Sequence, residues 1–104
     1  MKRGEVRWYK FHPPDKNRPV LILSRDSVIG YLNEITVAPI NTTIRDIPSE
    51  VILSEDDGMS KECAVNCDHI QTISKNKIEG LLTSLTPSKM KEVNESVRFA
   101  LGIN

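Results

Sequence analysis

Four aliphatic residues in an unbroken run, Val-Leu-Ile-Leu at 20–23, follow directly on Arg18 and Pro19. Because the apolar residues are continuous rather than alternating, the run predicts a strand that is buried on both faces. Pro19 has no N–H and fits the first residue of a strand or a sheet edge. Arg18 therefore stands where a strand leaves a polar loop. There it either forms a surface ion pair or presents its planar guanidinium to a phosphate.

Further short apolar segments, separated by polar loops, predict a mainly β fold. We predict strands over 4–11, 19–24, 34–40, 49–53, 63–67 and 69–73. Residues 25–30 fit a turn or one helical turn, and residues 75–82 fit a short helix or a turn followed by a strand. Trp8 shares a face of the first strand with Val6, so we interpret it as a core residue.

A helix is predicted at the carboxyl end of the sequence. Thr86 suits the N-cap and Pro87 the first helical position, and Gly102 fits just past the end. Apolar residues then recur at helical spacing, namely Met90, Val93, Val97 and Leu101. This stripe is typical of packing against a core or a second copy, not of a ligand site. Short strands followed by one helix predict a small, strongly bent sheet or barrel, with 1–104 as a single domain.

Composition excludes some classes of protein. Lys plus Arg and Asp plus Glu number 14 each, so the net charge is zero and binding of nucleic acid by bulk charge is excluded. Cys63 and Cys67 lie on one short segment, and no further Cys completes a metal set, so we predict two reduced thiols and no metal. There is no charged-then-apolar leader and no apolar run near membrane-spanning length, which predicts a cytoplasmic protein.

Several segments, taken in order, carry a pattern that spans nearly the whole chain. They are Lys-Arg-Gly-Glu-Val-Arg-Trp at 2–8, Arg-Pro-Val-Leu-Ile-Leu-Ser-Arg-Asp at 18–26, Val-Ala-Pro-Ile-Asn-Thr at 37–42, Pro-Ser-Glu-Val-Ile-Leu at 48–53 and Asp-His-Ile-Gln-Thr-Ile-Ser-Lys at 68–75. Together they resemble the MazF/PemK family of toxin ribonucleases. The helix ending at 100–103 is similar to the end of that family's chains.

The resemblance implies an SH3-like barrel of about five to seven strands with a C-terminal helix, working as a homodimer. It implies metal-independent cleavage of single-stranded RNA, often mRNA, at short motifs, which inhibits translation and growth. No cofactor is expected, and a cognate antitoxin would cover the RNA groove. Two alternatives stay open. A related branch of the fold poisons DNA gyrase without cleaving anything, and a decayed toxin would only bind its antitoxin.

The resemblance also places candidate catalytic residues. Arg18 occupies the position of the family's catalytic arginine, whose charge would stabilise a phosphorane. Asn41 stands where the family has a threonine, with Thr42 next to it. Either Asn41 replaces the hydroxyl as an electrostatic donor, or Thr42 supplies the hydroxyl, or activity is weakened, or residues 41–43 merely turn the chain.

Proton transfer and RNA contact have further candidates. His12 suits a proton shuttle but also fits an exposed loop histidine. Asp68 matches an acidic site position of the family and also fits a strand-end turn. His69 replaces a common glutamine and is interpreted as structural. For contacts with RNA we predict Lys16, Asn17, Ser24, Thr43, Arg45 and Asn66, the last standing where some members have a catalytic arginine. Trp8 could stack on a base, but the core interpretation is preferred.

Overall fold

The structure, a computed structural model, describes residues 1–10 and 17–104. In this part of the chain there are seven strands, two helices and three single 3-10 turns. The strands are β1 (Glu5–Lys10), β2 (Asn17–Ile22), β3 (Glu34–Asn41), β4 (Glu50–Leu53), β5 (Cys63–Asn66), β6 (Gln71–Ser74) and β7 (Ile78–Ser84). The helices are α1 (Asp26–Ile29) and α2 (Pro87–Leu101), and the 3-10 turns are Glu55–Asp57, Cys67–His69 and Lys75–Lys77. The predicted mainly β fold with a terminal helix is confirmed.

The strands form one antiparallel sheet in the order β4-β5-β3-β2-β1-β7. β3 is shared between two parts of this sheet. Its first half pairs with β6, with Ile35 opposite Ile73, and its last residues pair with β5, with Ile40 opposite Val65. The sheet therefore divides at β3. Because β3 runs antiparallel to β2, the end of β3 lies beside the start of β2.

Two apolar clusters cover the sheet, and successive residues of β2 alternate between them. Leu21 belongs to the larger cluster, which Val93 of α2 covers. Val20 and Ile22 belong to the smaller cluster, with Ile29 of α1. All three β2 side chains are 0% exposed, and full burial of each contributes about 1.5–3 kcal/mol to folding. The prediction of a strand buried on both faces is confirmed.

Helix α2 begins and ends as its sequence predicts. Thr86 Oγ1 accepts the N–H of Lys89 at 3.1 Å, and Gly102 adopts a left-handed φ of 69°. On the inner face, Val93 is buried and Ser96 Oγ donates to the Pro48 carbonyl at 2.9 Å. The apolar stripe extends beyond this contact, because Leu101 remains exposed.

Three predicted segments take a more exact form in the structure. Between β5 and β6 a 3-10 turn, Cys67–His69, replaces the start of the strand predicted at 69–73, because Asn66 Oδ1 accepts the N–H of Asp68 at 3.0 Å. Residues 25–30 contain the helical turn α1. Residues 75–82 form the turn followed by a strand, while Phe11 of the predicted first strand lies outside the described residues.

Both cysteines are free and buried, which confirms the predicted thiols. Burial raises the pKa of the Cys63 and Cys67 thiols above their ordinary value, so neither sulfur is a ready nucleophile. No helix in the described ranges is long and apolar enough to cross a bilayer.

Candidate active site

Arg18 is the second residue of β2, next to the strand start that the sequence predicts. Pro19 follows it, and the next three residues are anchored in the two clusters, so the backbone origin of Arg18 is rigid. The register that places Val20 opposite Pro39 brings Arg18 opposite Asn41 at the end of β3. Arg18 Nη1 donates to Asn41 Oδ1 at 3.4 Å, and the guanidinium is exposed.

Two adjoining depressions share Arg18, Asn41 and Thr42. The first depression has a volume of about 700 Å³, and the second about 450 Å³. The first is also lined by Trp8, Asn17, Pro19, Ile40, Met59, Ser60, Lys61, Cys63 and Leu82. The second is also lined by Thr43, Arg45, Glu50, Asn66 and His69. Arg18 therefore lies between a first depression with many apolar lining residues and a second one whose lining residues are all polar or charged.

Trp8 is 37% exposed and lines the first depression, so its interpretation as a core residue is wrong. Val6 is fully buried two residues earlier on the same face. The larger cluster ends between these two positions, and the strand's alternation continues beyond it. Trp8 pairs with Pro19, the residue after Arg18, and both Trp8 and Arg18 line the first depression.

A second guanidinium lines the second depression. Arg45 Nε donates to Glu50 Oε2 at 3.0 Å, and the backbone N–H of Arg45 donates to Glu50 Oε1 at 2.9 Å. The Glu50 side chain is 2% exposed, whereas that of Arg45 is 49% exposed. The buried carboxylate thus binds Arg45 through its backbone N–H and its Nε, and the rest of the guanidinium lies at the surface.

Asn66 and His69, which also line the second depression, are in contact with each other. Asn66 is 2% exposed, and both ends of its amide are used inside the protein. Its Oδ1 accepts from Asp68 N, and its Nδ2 lies 3.2 Å from His69 Nδ1. His69 is exposed, and among residues 1–10 and 17–104 no hydrogen-bond partner lies at its Nε2, whereas both ends of the Asn66 amide are used.

Two predicted site residues are not brought to Arg18. The carboxylate of Asp68 accepts from Ser49 Oγ at 2.6 Å, and Asp68 lines neither depression. Ser24 lies beyond the opposite end of β2, where its Oγ accepts the N–H of Thr36 at 2.8 Å. Ser24 comes six residues after Arg18, which is about 20 Å of extended chain.

The remaining predicted contacts fall on both depressions. Asn17 lines the first, where its Nδ2 also donates to Glu79 Oε1 at 3.4 Å, and Thr43 lines the second. The predictions for His12 and Lys16 lie outside the described residues.

Sequence reasoning missed several residues that line the site. Met59, Ser60 and Lys61 come from the connection between β4 and β5, which carries no recognisable motif. Glu50 was read only as part of a strand, and its ion pair with Arg45 was not predicted. These residues are distant from Arg18 in sequence, and only the folding of the chain brings them into the depressions that Arg18 lines.

The arrangement is suited to a single-stranded polyanion. Arginine stays charged in proteins, and its planar fork matches phosphate oxygens. Arg18 stands between the two depressions, of which the first is lined by Trp8, Pro19, Ile40 and Leu82 and the second by Arg45. Cations that follow a backbone, with an aromatic ring for a base, are the usual elements of single-strand recognition.

Known proteins match this chain along nearly its whole length. "Probable endoribonuclease MazF2" of Mycobacterium tuberculosis is 31% identical over 103 residues, which cover 98% of this chain and 99% of the relative. "Probable endoribonuclease MazF5" of Mycobacterium tuberculosis is 35% identical over 100 residues, covering 95% and 91%.

Solved structures show the same fold. The Mycobacterium tuberculosis toxin MazF-mt6 is 32% identical with a TM-score of 0.88, covering 96% of this chain and 98% of that one. An endoribonuclease in complex with its cognate antitoxin, from Mycobacterial species, is 27% identical with a TM-score of 0.88, covering 100% and 97%. The profile of one family, described as PemK-like, MazF-like toxin of type II toxin-antitoxin system, matches residues 2–101. The chain belongs to this toxin family.

Proposed function

We propose that this chain is an endoribonuclease toxin that cleaves single-stranded RNA, in particular mRNA, at short motifs without a metal ion, and so inhibits translation and growth. One observation carries the proposal: Arg18, on a rigid strand start, is shared by two depressions that also share Asn41 and Thr42. The full-length relatives named as endoribonucleases support the same activity. They favour it over gyrase binding and over a decayed toxin.

In the proposed reaction the substrate supplies its own nucleophile. The 2′-oxygen forms a bond to the adjacent phosphorus, and the bond from phosphorus to the 5′-oxygen breaks. The 2′-hydroxyl loses a proton, and the leaving oxygen gains one. The products are a 2′,3′-cyclic phosphate and a 5′-hydroxyl. Arg18 stabilises the negative charge of the phosphorane, because its guanidinium donates to two phosphate oxygens at once.

Asn41 acts as a neutral electrostatic donor beside Arg18. Its Oδ1 accepts from the guanidinium, which leaves the amide N–H groups for a phosphate oxygen. An amide does not transfer protons at neutral pH, so Asn41 does not replace a general acid or base. Thr42 adds a hydroxyl at the same junction of the two depressions.

Proton transfer is assigned to His12, six residues before Arg18 in the sequence. Asp68 is the weaker candidate, because its hydrogen bond with Ser49 supports the turn-residue alternative. RNA binding is assigned to Lys16, Asn17, Thr43 and Arg45, with Trp8 as a stacking surface for a base.

The proposed setting is the cytoplasm, with 1–104 as one toxin domain that forms a homodimer and is held inactive by a cognate antitoxin. Exposed apolar side chains near the end of α2, namely Phe99, Leu101 and Ile103, support association with a second copy. The solved endoribonuclease with its cognate antitoxin supports the antitoxin as partner.

The test uses a long single-stranded transcript of mixed sequence, incubated in EDTA with the wild type, with Arg18→Ala and with Arg25→Ala as an exposed matched control. We expect discrete fragments with 2′,3′-cyclic phosphate ends from the wild type and the control, and none from Arg18→Ala. Intact RNA across varied transcripts would refute the activity. Cleavage by Arg18→Ala would refute the assigned centre.

A further inference from the structure

The amide of Asn66 fixes the proton position on the His69 ring. Asn66 Oδ1 accepts the backbone N–H of Asp68 at 3.0 Å, so the other end of the amide, Nδ2, faces His69 Nδ1 at 3.2 Å. An amide nitrogen only donates hydrogen bonds. His69 Nδ1 must therefore accept, and the neutral ring carries its proton on Nε2.

The Nε2–H group faces no protein partner in the part of the chain that the structure describes, and the ring is exposed. His69 lines the second depression together with Arg18 and Arg45, whose guanidinium groups suit phosphate. Asn66, in contrast, is buried, and both of its polar ends are used, so its geometry is fixed before any ligand arrives.

We propose that neutral His69 donates its Nε2–H to a nonbridging oxygen of the scissile phosphate, and that Asn66 is the positioning residue that sets this tautomer. The proposal rests on the proposed cleavage of RNA. The bond strengthens as charge accumulates on the phosphorane oxygens, so His69 contributes to the transition state rather than to ground-state binding.

The same geometry defines what His69 does not do. A ring nitrogen that already carries a proton has no lone pair for the 2′-hydroxyl proton. His69 is therefore a fixed hydrogen-bond donor and not the general base of the reaction. The only requirement at residue 69 is a neutral hydrogen-bond donor, and a glutamine side chain, whose amide also carries N–H groups, meets it.

The tautomer is measured on the free protein. The ring is labelled with ¹⁵N, and two-bond ¹⁵N–¹H correlations are recorded near neutral pH for the wild type and for Asn66→Asp. We expect the Nε2–H tautomer in the wild type. A carboxylate at 66 only accepts, so the variant is expected to move the proton to Nδ1. A wild-type ring protonated on Nδ1 overturns the proposal, whether or not the variant folds.

The catalytic role is measured on an RNA oligonucleotide that spans a cleavage position mapped on a long transcript. His69→Ala is expected to lower kcat at least about tenfold, with KM nearly unchanged, whereas His69→Gln restores most of the rate. Thr72→Ala, at an exposed position of β6, is the matched control. An unimpaired His69→Ala, or a loss confined to KM, overturns this role alone. A wild type that cleaves no RNA overturns the proposed function, and this role with it.

Discussion

The contact between Arg18 and Asn41 is long, at 3.4 Å, and lies on the surface. Such a hydrogen bond contributes little to folding, because water replaces it at almost no cost. Both side chains are therefore free to exchange this bond for bonds to a phosphate. In the protein alone the contact holds the two groups side by side, where one phosphate reaches both.

Asn41→Ala is expected to lower kcat by about a hundredfold, since one preorganised donor to the transition state is removed. Asn41→Asp is expected to lower it further, because a carboxylate repels the phosphate. Single-turnover cleavage of a mapped RNA site measures both, with Asn76→Ala as an exposed control. If Asn41→Ala retains full activity while Thr42→Ala loses it, then the hydroxyl is used and Asn41 only turns the chain.

Single residues were predictable from sequence when their backbone position decided their role. Arg18 precedes a proline and a buried run, so its place at a strand start could be read directly. Trp8 was misread because the alternation of residues along β1 shows which face of the sheet a side chain is on. It does not show where along that face the core ends. The contact between Asn66 and His69 was not predicted, because it follows from a 3-10 turn that the sequence pattern did not reveal.

One short turn, in the connection between β4 and β5, both stabilises the fold and positions residues that line the first depression. The 3-10 turn Glu55–Asp57 is capped by Ser54, and its carbonyl at Asp57 accepts from Thr83 Oγ1 of β7 at 3.0 Å. Gly58 follows with a φ of 95°. This turn attaches the connection from β4 to β5 against β7, and the same connection supplies Met59, Ser60 and Lys61 to the depression.

Gly58→Ala is expected to destabilise the fold by about 1–3 kcal/mol, because a β-carbon there is strained at positive φ and collides with the Thr83 side chain. The measurement is urea unfolding followed by circular dichroism. Gly30→Ala is the matched control, since its φ of −70° is ordinary and a β-carbon meets nothing within 4 Å. Equal midpoints for the two variants would contradict this account of the turn.

At the level of elements, the sequence predicted strands and the terminal helix well, because burial on one or two faces dictates their patterns. The short 3-10 turns were less accessible. Two of them are capped by local side chains, Ser54 and Asn66, and polar residues of this kind also fit ordinary loops. The division of the sheet at β3 was not predictable, because a strand's own pattern does not name its partners.

Across the whole molecule, charge is balanced but unevenly placed. Net charge is zero, yet Arg18, Arg45 and Lys61 all line the two depressions. These residues are distant in sequence and meet only because β3 brings both halves of the sheet together. The sequence excluded binding by bulk charge, but which cations meet around the two depressions could be seen only in the fold.

Binding of RNA should therefore depend only weakly on salt. For single strands, each neutralised phosphate adds about −0.7 to the slope of log K against log salt, so two or three contacts give about −1.4 to −2.1. Fluorescence anisotropy with an uncleavable 2′-O-methyl oligonucleotide measures this slope. Lys61→Ala is expected to make it shallower by about 0.7 if Lys61 contacts one phosphate, whereas Lys91→Ala, on the exposed face of α2, leaves it unchanged. A slope several times steeper would mean that cations outside the two depressions, or in a second copy of the chain, also bind the RNA.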